Sequence, residues 1–396
     1  MGVTDSEMLR IASTVRQIGT ETAFDVLARA QALQAQGRDV INLGIGQPDF
    51  RTPDHIVEAG REALAQGRHG YTPAAGISDL REAVARDIQH RTGAPIDPAT
   101  VLITPGAKVT MFFAMLMFGE RGAEILYPNP GFPIYESAIA LSGATPVPYR
   151  LSETEGFSFD PDELLARITP ATSLIILNSP ANPTGGVVPV GQIDRLAAGL
   201  ADHPHVSILS DEIYDRFVYD GYEHRSLLHY EALRDRLILL NGWSKTYAMT
   251  GWRLGYSVWP AALFDFAERL AINCYSCPNA AAQYAGLAAL DAPQDFVDEM
   301  VAAFDERRLL LVDELNAIEG VRCATPRGAF YAFPNIEATG FDSRTLQDKL
   351  LNDAGVATIS GTSFGAHGEG FLRLSYASSL ESIRTAVQRI RAFLEQ

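Results

Sequence analysis

Short runs of apolar residues recur along most of the chain and alternate with stretches in which apolar residues return every three or four positions. Runs over 41–43, 101–104, 124–127, 174–177, 206–209, 237–240 and 254–258 are apolar at nearly every position. A strand with one wet face alternates apolar and polar residues, so unbroken runs point to strands buried on both faces. Helical spacing lies between them: over 21–36, where Phe24, Leu27 and Ala28 share a face and Gly37 is the stop, from Gly106 onward, and over 132–141. This alternation predicts an α/β fold whose large domain is a mostly parallel sheet covered by helices on both faces.

From about residue 292 the pattern changes. It predicts an amphipathic helix over 293–316, strands over 330–333, 356–359 and 371–376, and a last helix with Ile383, Val387, Ile390 and Leu394 on one stripe. Ser378 and Glu381 have the spacing of a capping box at its start. Strands set among fewer helices predict a separate, smaller α+β domain. At 396 residues the chain is long for a single core, so two domains are expected. The expected division is 46–290 for the large domain, with 1–45 and 291–396 together forming the small one.

Composition narrows function more than fold. A formal net charge of −16 argues against nucleic acid or an anionic membrane as a partner, since each calls for a basic face. Residues 1–16 lack the apolar core of a signal peptide, and no apolar stretch approaches a membrane span, which points to the cytoplasm. Cys274 and Cys277 form a C-x-x-C, but no second such pair and no histidine cluster completes a zinc site, so no metal is expected.

The candidate chemistry lies where the predicted strands end, because open α/β sheets bind ligands beyond the carboxyl ends of their strands. The run 237–240 leads into Asn241-Gly-Trp-Ser-Lys245-Thr-Tyr-Ala-Met-Thr-Gly-Trp-Arg253-Leu-Gly255. Lysine is scarce: Lys108, Lys245 and Lys349 stand against 29 arginines (32 basic residues minus 3). An ammonium beside a buried strand is costly unless it is paired or chemically used, and Schiff-base formation with a carbonyl is chemistry that a guanidinium does not perform. After 101–104, Pro105-Gly106-Ala107-Lys108 opens a helix, whose free N–H groups suit a phosphate; an ordinary strand-to-helix turn is the alternative. Lys108 opposes the helix dipole there unless an anion lies close. After 174–177, the loop Asn178-Ser-Pro180-Ala-Asn182-Pro183 is either a simple turn or a ligand loop, with two X-Pro bonds that invite the cis form. After 206–209, Asp211 either meets a cation or caps the next helix. Arg373 interrupts an apolar strand, where it pairs with an acid or offers a planar fork to a substrate carboxylate.

In this order, these residues resemble the fold-type I pyridoxal-phosphate aminotransferases of class I/II, in the bacterial aspartate-aminotransferase-like subgroup, from about Gly19 to Leu394. The resemblance implies a seven-stranded sheet in the large domain, pyridoxal 5′-phosphate as cofactor, an L-amino acid and a 2-oxo acid as substrates, and a homodimer with shared active sites. It implies that Lys245 forms the Schiff base and then acts as general base, and that Asp211 lies under the pyridine nitrogen. Asn182 and Tyr214 would bond the ring's phenolic oxygen, and Phe132 would stack on the ring. Gly106, Ala107, Lys108, Ser244 and Arg253 would hold the phosphate, with Tyr71 reaching the phosphate of the partner subunit. Gly46 and Arg373, assisted by Asn182, would receive the substrate α-carboxylate. Two positions depart from the pattern: Gly242 stands where many relatives have a phosphate-binding serine, and Trp243 is bulkier than the usual occupant. The same cofactor site also serves C–S β-lyases, and such domains occur as ligand sensors in transcription regulators, although 1–20 is too short for a DNA-binding module.

Overall fold

A computed structural model of the chain describes residues 11–16, 18–19 and 22–396; residues 1–10 and 21, which the readings of the N-terminus and of the first helix include, lie outside these. A short strand β1 (Ile41–Asn42) precedes a seven-stranded sheet made of β2 (Val101–Thr104), β3 (Glu124–Asn129), β4 (Thr145–Arg150), β5 (Thr172–Asn178), β6 (Ser207–Asp211), β7 (Leu237–Gly242) and β8 (Gly255–Val258). The spatial order is β2-β8-β7-β6-β5-β3-β4, and only β8 runs against the rest. The strand that hydrophobic pattern does not reveal is β4. It carries Pro146 and Pro148, which lack the N–H that a central strand needs, and it lies at the sheet edge, where that loss is tolerated.

Both faces of the sheet are apolar, because successive side chains of a strand point opposite ways. Ile175, Ile208, Leu237 and Leu239 pack against the helices Ser78–Thr92, Val190–Leu200 and Ala280–Asp291. Leu174, Ile176, Leu209, Ile238 and Leu240 pack against Lys108–Phe118, Ile134–Ser142 and Ala261–Tyr275. Each fully buried Leu or Ile contributes about 1.5–3 kcal/mol, so the strand ends are held by a rigid two-sided core.

The strands β9 (Tyr331–Ala332), β10 (Val356–Ala357), β11 (Ile359–Ser360) and β12 (Leu372–Ser375) form the smaller α+β part. β10 pairs in parallel with β1, and β11-β12-β9 form an antiparallel sheet. The strand expected over 356–359 is therefore two, parted at Thr358 and paired in different sheets. Helices Asp295–Asn316 and Leu380–Leu394 bury Met300, Phe304, Leu311, Ile383, Val387 and Ile390 in one core with Leu43, Tyr331 and Leu374. The Ser375 N–H donates to the Leu43 carbonyl at 2.7 Å, which straps the segment after β1 onto β12.

Two local expectations fail. The last helix is capped by Ser379, whose side chain accepts from the Ser382 N–H, so the Ser378–Glu381 pair lies one residue too early. In the helix Thr22–Ala35 the buried residues are Ala23, Val26 and Ala30; this narrow, small-residue stripe packs with Val40, Phe333 and Ile359, and Phe24 is left 55% exposed.

Candidate active site

The carboxyl ends of β2, β5, β6 and β7 share one edge of the sheet, and the loops there enclose a cavity of about 430 Å³. The lysine reaches it through the connection between β7 and β8. Gly242 and Gly255 face each other across that ladder. A Cβ on Gly242 would stand 2.8 Å from the Gly255 Cα, and one on Gly255 would stand 2.3 Å from the Ala107 nitrogen. With both bare, the end of β7, the start of β8 and the turn before Lys108 pack together. A serine at 242 has no room here, which accounts for the first departure. Trp243 turns inward: its indole N–H donates to the Gly286 carbonyl at 2.9 Å, and its ring meets Tyr256 edge-on at 5.4 Å. Its bulk is taken up where Gly286 lacks a side chain, and Ser244 and Lys245 emerge on the cavity side. Lys245 Nζ donates to the Gly46 carbonyl at 2.5 Å.

At one end of the cavity the helix Lys108–Phe118 begins, and the N–H groups of a first helical turn have no acceptors within the helix. Gly106 has φ +84°, and a Cβ on it would fall 2.2 Å from Arg253 Nη2, so only a bare backbone lets that guanidinium lie over the turn. Arg253 itself is held at φ +54°, a conformation that non-glycine residues adopt at a cost. With Ser244 alongside, this corner gathers donors of the kind an anion takes up. Lys108 lines the same cavity, its Nζ 5.3 Å from the Phe132 ring centroid.

Asp211 is the last residue of β6 rather than the residue after it, and it is 2% exposed. Its Oδ2 accepts from the Tyr135 hydroxyl at 2.6 Å and its Oδ1 makes a long contact with the Ile213 N–H at 3.3 Å. Burial pushes its pKa up to about 6, although both bonds pull the other way. Asn178 ties the neighbouring loop to this strand: its side chain donates to the Asp211 carbonyl at 3.1 Å and accepts from the Asn182 N–H at 3.0 Å. The loop holds cis bonds at Ser179–Pro180 and Asn182–Pro183.

Arg373 enters from β12 at the opposite end, and only 3% of it is exposed. Its partners are carbonyl oxygens rather than an acid: Nη1 donates to Asn182 Oδ1 at 2.9 Å and Nη2 to the Gly44 carbonyl, while Nε is buried with no partner. Tyr214 beside it has its pKa raised well above the usual value, by burial first and by Tyr331, whose hydroxyl is 2.7 Å away, second.

The cavity thus brings together Gly46, Ala107, Lys108, Phe132, Asn182, Asp211, Tyr214, Ser244, Lys245, Arg253 and Arg373, with Gly106 beneath Arg253. Tyr71 is not among them; it is 92% exposed in the loop ahead of Ser78–Thr92. Sequence reading assigned no role to Tyr135 or Tyr331, both of which line the cavity. The available signal was weak: a tyrosine in a buried element needs a partner for its hydroxyl.

The family model for aminotransferase class I and II matches residues 38–390. The chain is 36% identical to the aspartate aminotransferase of Geobacillus stearothermophilus, over 98% of this chain and 99% of that one. It is 38% identical to aromatic-amino-acid aminotransferase 2 of Thermococcus litoralis, over 91% and 94%. The solved structure of Thermus thermophilus aspartate aminotransferase with maleate shares its fold with a TM-score of 0.93 at 34% identity, over 97% of this chain and all of that one. The chain belongs to the class I and II aminotransferases, in the subgroup of the bacterial aspartate aminotransferases. It moves an amino group between an L-amino acid and a 2-oxo acid, and pyridoxal phosphate is the cofactor that the family implies; nothing favours the lyase.

Proposed function

We propose that the cavity holds pyridoxal 5′-phosphate on Lys245 and runs both halves of a ping-pong transamination, with a dicarboxylic amino acid among its donors. The observation that carries this is the convergence on one cavity of an amine, a buried carboxylate and a guanidinium with a spare N–H: Lys245, Asp211 and Arg373. When bound, the cofactor supplies an aldehyde that takes the amino group and a ring that draws electrons from the reacting carbon.

The residues present suit such a group. The raised pKa of Asp211 marks an anion whose burial outweighs the pull of Tyr135, Ile213 and Lys245, and a protonated ring nitrogen would offset that burial. The carbonyl oxygen of Asn182 is engaged by Arg373, so its NH2 is what remains for a ring oxygen, beside the Tyr214 hydroxyl. Phe132 covers a ring face. The backbone of Gly106, Ala107 and Lys108, with Ser244 and Arg253, holds the phosphate. Arg373 and Gly46 orient the substrate α-carboxylate, which turns binding into alignment at the reacting carbon. Lys245 Nζ would then carry the proton from the α-carbon to the carbon of the cofactor aldehyde, and would carry one back the other way in the second half-reaction. Lys108 supports the dicarboxylic donor, because it adds a cation to the cavity wall beyond Lys245, Arg253 and Arg373 in a chain of net charge −16. The relatives named aspartate aminotransferases and the maleate-bound structure support the same reading.

Three further parts belong to this proposal. Tyr71, exposed and away from its own cavity, completes the phosphate site of the partner subunit in a homodimer. The chain divides at 46–290 from a small domain of 1–45 and 291–396. The free thiols Cys274, Cys277 and Cys323 suit the cytoplasm, and among the described residues no helix is long and apolar enough to cross a membrane.

The test is a scan of amino donors against 2-oxoglutarate and pyruvate, following cofactor absorbance, with Lys245→Ala and Lys108→Ala alongside. Lys245→Ala loses turnover and borohydride fixation of the cofactor; fixation retained at another residue overturns the assignment. Lys108→Ala raises KM for aspartate by about tenfold and leaves that for alanine near its starting value. An equal effect on both removes the dicarboxylic donor from the proposal.

A further inference from the structure

Tyr331 lies in the cavity wall beside both Arg373 and Tyr214. It is 1% exposed, at the start of β9. The Cζ of Arg373 lies 4.6 Å from its ring centroid, and that of Phe364 is 4.8 Å from the same carbon. Its hydroxyl oxygen is 2.7 Å from that of Tyr214. The same oxygen fills the place of a Cβ on Gly46, 2.1 Å from where that atom would stand, and Gly46 is the residue whose carbonyl receives Lys245.

We propose that Tyr331 is a positioning residue that couples Arg373 to Tyr214: its ring holds the plane of Arg373 for the substrate carboxylate, and its hydroxyl donates to Tyr214, turning the Tyr214 proton toward the phenolic oxygen of the cofactor. This deepens the function proposed above and rests on it.

The argument is a count of hydrogens. Each hydroxyl has one to give. An anionic ring oxygen makes the stronger acceptor and takes the Tyr214 proton. The Tyr214 oxygen then has only lone pairs left for its neighbour, so Tyr331 donates. Two hydrogen bonds aligned head to tail polarise each other, which strengthens the bond to the ring oxygen. Among the described residues, the charged groups facing the pair include Arg373 and Lys245, which favour negative charge on that oxygen, and Asp211, which opposes it. With aromatic rings over the guanidinium, its hydrogen bonds are made at the edge, where the buried Nε has no partner.

The experiment compares Tyr331→Phe and Tyr331→Leu in the cofactor-loaded protein by two readouts besides turnover: the pH midpoint of the visible absorbance, and the Kd for maleate, a dicarboxylate with no amino group to react. Tyr331→Phe keeps the ring and loses the hydroxyl, so the midpoint rises by about half a pH unit and the Kd stays within about twofold. Tyr331→Leu loses both, so the midpoint rises equally and the Kd rises about tenfold. In the Tyr214→Phe background Tyr331→Phe adds no further shift, because the proton it directed is gone. An unchanged midpoint in Tyr331→Phe, or a shift that adds to that of Tyr214→Phe, overturns the proposal. A wild-type protein that shows no visible band overturns instead the cofactor reading beneath it, and the two failures are distinguishable on sight.

Discussion

Asp211 and Glu212 are adjacent in the chain and almost equally hidden, at 2% and 3% exposure, yet one faces the cavity and the other faces the back of the sheet edge. Asp211 has one good hydrogen bond, from Tyr135. Glu212 has three: from Ser210 at 2.8 Å, from Ser226 at 3.0 Å and with His224 Nε2 at 3.0 Å. Burial alone would raise both acids. It does so for Asp211, to about 6, while for Glu212 the charge and bonds of His224 and the two serines outweigh it and hold the pKa below the usual carboxylate value. Behind Glu212 the provision continues. Asp215 accepts from Arg91 and, at 2.9 Å, from Asn241 Nδ2, and Asn241 Oδ1 accepts from the Gly242 N–H at 2.7 Å. This braces the end of β7, from which the lysine loop departs. Depth therefore does not mark function; unmet electrostatic demand does.

The comparison breaks most directly at Asp211. In the loaded enzyme Asp211→Asn lowers turnover by on the order of 10³-fold, because an amide does not hold a cationic ring nitrogen. Without cofactor the same change stabilises. Folding raises this pKa from 3.8 to about 6, so the folded state binds the proton more tightly, and stability falls as pH climbs through that interval. At pH 7 the cofactor-free variant gains about 1–3 kcal/mol in denaturant melts, and the gain vanishes below pH 3.8. A variant with normal turnover, or one destabilised at pH 7, removes the contrast. On the braced side, Arg91→Ala leaves Asp215 buried and uncompensated and costs about 3–5 kcal/mol of stability. A loss below about 1 kcal/mol there means that the back network carries no net weight.

Smaller effects sharpen the picture. The His224 pKa is raised above 6.5 by Glu212, so its contribution is present below that value and fades as pH rises through the folded pKa; that of Glu212, lowered from 4.5, fades as pH falls. His224→Ala therefore destabilises most between about pH 4.5 and 6.5, and a flat pH profile of the difference contradicts the pairing. Ser226→Ala removes one bond of three and costs about 1 kcal/mol. No change in turnover per folded molecule is expected.

Much of the site was legible because its chemistry is local in sequence. Lys245 and Arg253 share one loop, Gly106 to Lys108 one turn, and Asn182 one Pro-rich loop, each at the end of an apolar run. What escaped had no such mark. Tyr135 and Tyr331 have hydroxyls that matter through Asp211 and Tyr214, which lie far away along the chain. The edge strand β4 hid behind its prolines, and the reversed direction of β8 leaves no trace in an apolar run. The inward face of Thr22–Ala35 was misjudged because Phe24 is the bulkiest residue there, whereas the space beside Val40 and Ile359 accepts only small side chains.

The α/β class, and the strand ends and the amine proposed above to carry the chemistry, were readable from the chain alone, because buried runs and backbone-permissive glycines act over a few residues. Which neighbours each buried charge meets was settled by the fold alone: that burial prevails at Asp211 while His224 and two serines prevail at Glu212, that Arg373 Nε has no partner, and that Gly242 admits no side chain. Those outcomes depend on distances between segments far apart in the chain, and electrostatic and packing energies depend on such distances.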